Sequence, residues 1–184
     1  MNAAALRATA PRETIRYAIG ECQLGKALVA HSGAGVCAIL LGDEAEQLLA
    51  DLGRRFPRAE LIADQEGLAA VLSAVTRFIA EPQAGWMLPL DVRGTQFQRR
   101  VWQALQQIPA GRTATYAEIA ARVGQPAAVR AVAGACAANP LALAIPCHRV
   151  VRSDGQLSGY RWGVERKRAL LEREAEGAVR QAVV

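Results

Sequence analysis

Aromatic side chains are scarce in this 184-residue chain, at 5%, and histidine occurs only twice, at His31 and His148. No apolar run approaches the roughly 20 residues that a membrane span requires. The four cysteines, at 22, 37, 136 and 147, contain no Cys-x-x-Cys pair. That spacing argues against a zinc ribbon and against a disulfide framework. His31 with Cys22 and Cys37 is too loosely spaced for a structural zinc site and lacks a fourth ligand, so no metal and no cofactor are expected. Unpaired thiols fit a reducing, cytoplasmic setting. The first dozen residues are Ala-rich with two arginines but lack a continuous apolar region. They read as a frayed tail, 1–13, rather than a secretory leader.

Alanine is abundant, and 52% of residues are hydrophobic. A chain of this length buries roughly 70% of its unfolded surface. Charge is unevenly divided: residues 1–90 hold 8 Lys/Arg against 10 Asp/Glu, and residues 91–184 hold 14 against 7. Any polyanion-binding surface therefore belongs to the second half.

Three short β-type runs, 14–19, 26–31 and 36–41, are separated by Gly20, Gly25 and the Gly33-Ala34-Gly35 turn, which predicts an antiparallel meander. Asp43 opens a helix carrying Leu48, Leu49, Leu52 and Phe56 on one face, and Pro57 stops it. A second helix carries Leu68, Val71, Leu72, Val75, Phe78 and Ile79. This half reads as a small α/β unit, 14–90. Beyond it, Thr95 caps a helix with Phe97, Val101, Leu105 and Ile108 inward. Thr115-Tyr116-Ala117-Glu118 is a capping box, and its helix ends at Gly124. A third helix runs from Pro126 to Ala138. Two short helices about a Gly-containing turn predict a helix-turn-helix. Its second helix presents almost only small side chains, with Arg130 as the exception and Gln125 just before it. Such a face lacks the array that reads base edges, but it permits close approach to a groove whatever the sequence. A final helix turns Val164, Leu170 and Leu171 inward, and residues 177–184 read as a tail.

Chemistry concentrates in Pro146-Cys147-His148-Arg149-Val150, where a thiol stands beside a rare histidine after an apolar run. A thiol reacts as its thiolate, and a neighbouring imidazole or positive charge promotes that form. In an extended strand, however, consecutive side chains face opposite ways, so Cys147 and His148 cooperate only across a bend or through a water.

This pentapeptide resembles the acceptor-cysteine motif of the O6-alkylguanine-DNA alkyltransferases, and residues 157–164 resemble its Ada-type branch. The resemblance covers roughly 14–176 and is densest from Leu90 onward. It implies a ribonuclease-H-like α/β layer followed by a helix-turn-helix (winged-helix-like) alkyltransferase domain at 91–176. It implies single-turnover transfer of a methyl group from O6-methylguanine, and also from O4-methylthymine, to Cys147. His148 and Glu174 would form a relay with that thiol through a water, Asn139 would be the hinge residue, and Tyr116 would donate to the guanine. The carbonyls of Cys147 and Val150, with Tyr160 and the amide of Arg161, would contact the base. Trp162 would narrow the pocket in favour of methyl over benzyl. Arg130, Gln125, Gln98 and Ser153 would meet the DNA, with Arg130 filling the space of the extruded nucleotide. The implied partner is double-stranded DNA with little sequence preference, bound by a monomer. Two other classes compete: a non-catalytic DNA-damage-binding or regulatory helix-turn-helix protein, and a cysteine hydrolase, which would turn over repeatedly.

Overall fold

The computed structural model describes residues 12–183, so most of the expected N-terminal tail lies outside the described residues. Four strands, β1 (Thr14–Cys22), β2 (Gly25–His31), β3 (Val36–Gly42) and β4 (Glu60–Ala63), form one sheet in the order β3-β2-β1-β4. The first three are the antiparallel meander expected from the glycine spacing, and β4 adds parallel to β1. Strands β2 and β3 are continuous apolar runs because both of their faces are covered: Leu28, Val29, Ile39 and Leu40 are fully buried.

Helix α1 (Ala45–Arg55) packs on β2 and β3, and α2 (Ala69–Ala80) packs on β1 and β2. The first of these is preceded by Glu44 rather than opened by Asp43. The Asp43 carboxylate instead accepts from Arg166 Nη2 at 2.7 Å.

The free edge of the sheet links the two halves. Val36 N–H donates to the Pro89 carbonyl (3.0 Å), and Ile39 N–H donates to the Pro140 carbonyl (2.9 Å). The Ala142 amide returns a bond to the Ile39 carbonyl at 3.0 Å. The apolar run that precedes the reactive pentapeptide is thus docked on β3, and its residues 141–145 are all buried. One buried apolar cluster runs from Ile15 to Leu170 through both halves.

The second half holds α3 (Gln96–Gln106), α4 (Tyr116–Arg122), α5 (Val129–Ala137) and α6 (Val164–Ala182). Capping boxes start α3 and α4: Thr95 pairs with Gln98, and Thr115 with Glu118. Gly124, at φ +78°, takes the left-handed position that ends α4. The third expected helix starts at Val129 instead of Pro126, because Gln125 to Ala128 close a turn through the Ala128 amide and the Gln125 carbonyl (2.9 Å). Trp102 Nε1 donates to the Ala135 carbonyl at 2.9 Å, locking α3 to α5. Two short strands, β5 (Ala114–Thr115) and β6 (Val150–Val151), pair in parallel and bring the start of α4 beside the pentapeptide.

The C-terminal helix corrects two expectations. Residues 177 onward continue α6 to Ala182 instead of forming a tail. Gln83 Nε2 donates to the Glu174 carbonyl (3.2 Å), and Gly111 is packed so closely on Ala178 that an added Cβ would lie 2.7 Å from it. The inward face of α6 is Lys167, Leu170 and Glu174, while Val164 is 37% exposed.

Candidate functional site

The reactive pentapeptide is not extended. Cys147–Arg149 is a single 3-10 turn, so Cys147 and His148 are not held on opposite faces as they would be in a strand. Upstream, Leu143 holds φ at 72°, a left-handed conformation that costs a leucine of order 1–3 kcal/mol. Asn139 fixes that loop. Its Oδ1 accepts from the Leu141 amide (2.9 Å), and its Nδ2 donates to the Ile145 carbonyl (2.8 Å) and to Cys147 Sγ (3.2 Å).

Cys147 is 4% exposed. Burial pushes its thiol up to about 11, against the lowering effects of the Asn139 hydrogen bond and the Lys167 charge. The resting group is therefore a thiol. Ionisation must accompany proton removal by a base.

That base has the right form. Burial lowers His148 below the ordinary histidine value despite the Glu174 hydrogen bond, so the ring is neutral. His148 Nε2 lies 2.7 Å from Glu174 Oε1. A neutral imidazole facing a carboxylate carries its hydrogen on that nitrogen, which leaves Nδ1 as the proton acceptor. Nδ1 is buried and has no hydrogen-bond partner among the described residues.

Burial raises the Glu174 carboxyl, but the hydrogen bonds from His148 and Arg149 outweigh it and hold the group at about 2. Arg149 grips this carboxylate in bidentate fashion, Nε to Oε2 at 3.0 Å and Nη2 to Oε1 at 2.9 Å, while Nη1 donates to the Ile108 carbonyl at 2.6 Å. Sequence reasoning gave Arg149 no role. A glutamate buried beside a neutral histidine needs a cation, and the arginine two residues after the cysteine supplies it.

The thiol opens on a pocket of about 410 Å³, lined by Tyr116, Ala133, Cys136, Ala137, Cys147, Ser158, Gly159, Tyr160 and Arg161. Tyr116 hydrogen-bonds the Ser158 hydroxyl. Lys167, 1% exposed, donates from Nζ to the Val150 carbonyl (2.7 Å) and to Ser158 Oγ (3.1 Å). Neither Ser158 nor Lys167 was singled out from the sequence. A lysine within the charged run Glu165-Arg166-Lys167-Arg168 reads as solvated helix surface.

Several expected site residues are elsewhere. Trp162 does not line the pocket; it is 6% exposed and packs edge-on behind Tyr160, with ring centroids 5.3 Å apart. The wall is Tyr160, and Trp162 supports it. Val150 is fully buried, with its carbonyl already accepting from Lys167. The Arg161 side chain spans the rim, from the Ala137 carbonyl (3.0 Å) to Asp51 on α1 (3.3 Å). Arg130, Gln125 and Ser153 are exposed, whereas the Gln98 side chain is engaged in the cap of α3, accepting from the Thr95 amide at 2.9 Å. Ala133 and Ala137 border the pocket from the exposed small-residue face of α5.

Residues 96–176 match the family model of the 6-O-methylguanine DNA methyltransferase DNA-binding domain. The chain is 52% identical over 166 residues to the bifunctional transcriptional activator/DNA repair enzyme Ada of Escherichia coli, covering 90% of this chain and 47% of that one. It therefore spans about half the length of that relative. It is 41% identical over 129 residues to the inducible methylated-DNA–protein-cysteine methyltransferase of Bacillus subtilis, covering 70% of this chain and 72% of the other. Its α/β fold matches the crystal structure of Mycobacterium tuberculosis OGT in complex with DNA, with a TM-score of 0.75 at 34% identity, covering 88% of this chain and 94% of that chain. The chain belongs to the methylated-DNA–protein-cysteine methyltransferase family.

Proposed function

We propose that this protein repairs DNA by moving a methyl group from O6-methylguanine, and from O4-methylthymine, onto Cys147 in a single irreversible turnover. One observation carries the reading: the Cys147 thiol opens on a pocket that also holds Tyr116, beside a neutral histidine locked to an ionised glutamate. His148 Nδ1 takes the thiol proton through a bridging water, and Glu174 and Arg149 hold the ring in the tautomer that permits it. The sulfur then bonds to the methyl carbon as the carbon–O6 bond breaks, and the electron pair departs with the guanine, which Tyr116 protonates. The product is a thioether. No group in the pocket can hydrolyse it, so repeated turnover of the hydrolase kind is not expected.

The target base must leave its stack to reach a buried thiol, at a cost of a few kcal/mol. Exposed Arg130 on α5 is suited to fill the vacated space, since a guanidinium stacks on bases. The small outward face of α5 supports groove binding without sequence preference, with Gln125 just before it and the exposed Ser153 as further contacts. On this reading residues 14–90 are a ribonuclease-H-like layer, and α4 and α5 are the helix-turn-helix of a domain spanning 91–176. The protein acts as a monomer in the cytoplasm. A non-catalytic damage-binding protein has no need of a clamped thiol at the pocket.

The test is single-turnover transfer from radiolabelled methylated duplex DNA to the parent protein and to Cys147→Ala. Label on the parent alone supports the proposal. Label on both, or on neither, rejects it.

A further inference from the structure

The base of a nucleotide cannot enter the pocket without bringing its flanking phosphates to the mouth. Among the residues that line that pocket, Arg161 is the one with a charged side chain. Resting on the repair reading above, we propose that the Arg161 guanidinium, beyond the base contact expected of its amide, binds a backbone phosphate of the extruded nucleotide, and that Asp51 on α1 holds it in place until DNA arrives. Arg161 Nη1 donates to the Ala137 carbonyl at the end of α5 (3.0 Å), and Nη2 donates to Asp51 Oδ1 (3.3 Å). The guanidinium is thus fixed at the rim, between the small-residue helix and the first half of the chain.

The charges around Asp51 do not balance. Three guanidinium groups, of Arg161 (3.3 Å), Arg54 (3.5 Å) and Arg55 (3.7 Å), share this one carboxylate. Arg55 is the poorest served: its Nε and Nη2 are buried and, among the described residues, have no hydrogen-bond partner. Burial, and after it the charge of Arg161, pull Arg55 below the ordinary arginine value. Idle buried donors pressed by a second cation mark a cluster short of negative charge. A phosphodiester supplies that charge, and its oxygens match the planar fork of a guanidinium.

An exchange of partners keeps every charge paired. When a phosphate reaches the rim, Nη1 stays on the Ala137 carbonyl while Nη2 passes from Asp51 to a phosphate oxygen. Asp51 keeps Arg54, and its Oδ2, already 3.7 Å from Arg55 Nε, closes on that idle donor. The phosphate stands at the mouth only while its base is in the pocket, so the contact favours the extruded nucleotide over the stacked one. A phosphate contact carries no sequence information, in keeping with the small outward face of α5. It also gives α1, in the first half of the chain, a part in the recognition of DNA.

Equilibrium binding should be measured across a range of salt on a Cys147→Ala background, which cannot accept the methyl group. The probes are a duplex containing one O6-methylguanine and the same duplex undamaged. On the methylated duplex Arg161→Gln should weaken binding about 5- to 20-fold, the loss of one charged hydrogen bond. It should also flatten the slope of log K against log salt by about 0.9, the value for one phosphate, and leave the undamaged duplex within about twofold. Arg161→Lys should keep the slope. Asp51→Asn should tighten the methylated complex by more than the undamaged one, because Arg161 loses its competitor. That gain should vanish in the Arg161→Gln/Asp51→Asn double variant. If Arg161 only ties α5 to α1, Asp51→Asn weakens binding as Arg161→Gln does, and the proposal is overturned. Equal losses on the two duplexes, or an unchanged slope, overturn it as well. Should Arg161→Gln not fold, Asp51→Asn decides by the sign of its effect. A parent with Cys147 intact that transfers no methyl rejects the repair reading and the phosphate site together, whereas a competent parent with unaffected variants rejects the site alone.

Discussion

Ile39 holds the segment around Leu141: its amide donates to the Pro140 carbonyl at 2.9 Å, and its carbonyl accepts from the Ala142 amide at 3.0 Å. Through this pairing the edge of the N-terminal sheet positions a loop whose chemistry belongs to the second half. Leu141 is fully buried at that junction. Leu141→Ala should therefore cost about 2–5 kcal/mol of stability, the range for a leucine removed from a close-packed core. It should also slow methyl transfer, because the loop carrying Cys147 loses its seat. Urea denaturation and single-turnover kinetics on the same variant check both effects.

Asn139 holds three partners, two of them in the strained loop and one the reactive sulfur. Asn139→Ala leaves the buried Leu141 amide unpaired, at a cost of about 1–3 kcal/mol. It also removes the largest influence that lowers the Cys147 thiol, which should move above its present value of about 11. Thiol titration by absorbance, with and without the substitution, reads that shift.

Glu174→Gln strands Arg149, whose guanidinium has two bonds to this carboxylate. Breaking one side of a buried pair costs about 3–5 kcal/mol. The parent should also depend on acid in a defined window. The Glu174 carboxyl is depressed from an ordinary 4.5 to about 2, so its stabilisation is complete above pH 4.5 and is lost as pH falls toward 2. Glu174→Gln should lose stability at neutral pH and show a flatter profile between those values. Denaturant midpoints across that range test it.

The structure brings several of the expected residues together around Cys147, and sequence reasoning missed some of their partners for physical reasons. Capping boxes are local, so Thr115 with Glu118 and the start of α4 could be read directly. The same logic applied to Thr95 and Gln98 would have revealed the cap that Gln98 forms. Glu174 was identified by resemblance alone, since a glutamate on a charged helix looks solvated until the helix is docked. Lys167 had the same disguise and no resemblance to expose it. The bond of Ile39 to Pro140 joins segments about a hundred residues apart, and neither segment carries a mark of the other. Trp162 was assigned to the pocket wall because bulk was visible, while its orientation behind Tyr160 depends on tertiary packing.

Without DNA, the Cys147 thiol has no thiolate at neutral pH, because burial holds it at about 11. Alkylation by a small electrophile should accelerate with pH up to that value. Methyl transfer from damaged DNA should instead be level through neutrality and fall only in acid, below the ordinary histidine range, as His148 becomes protonated. Rates of both reactions across pH 5 to about 11 distinguish a thiol activated in the complex from one activated at rest.

The most direct measurement is peptide mass mapping after incubation with duplex DNA containing O6-methylguanine. One added methylene, confined to the peptide that carries Cys147 and stoichiometric with the DNA repaired, is the predicted result. An unmodified Cys147, or a methyl group on the neighbouring Cys136, would contradict the account.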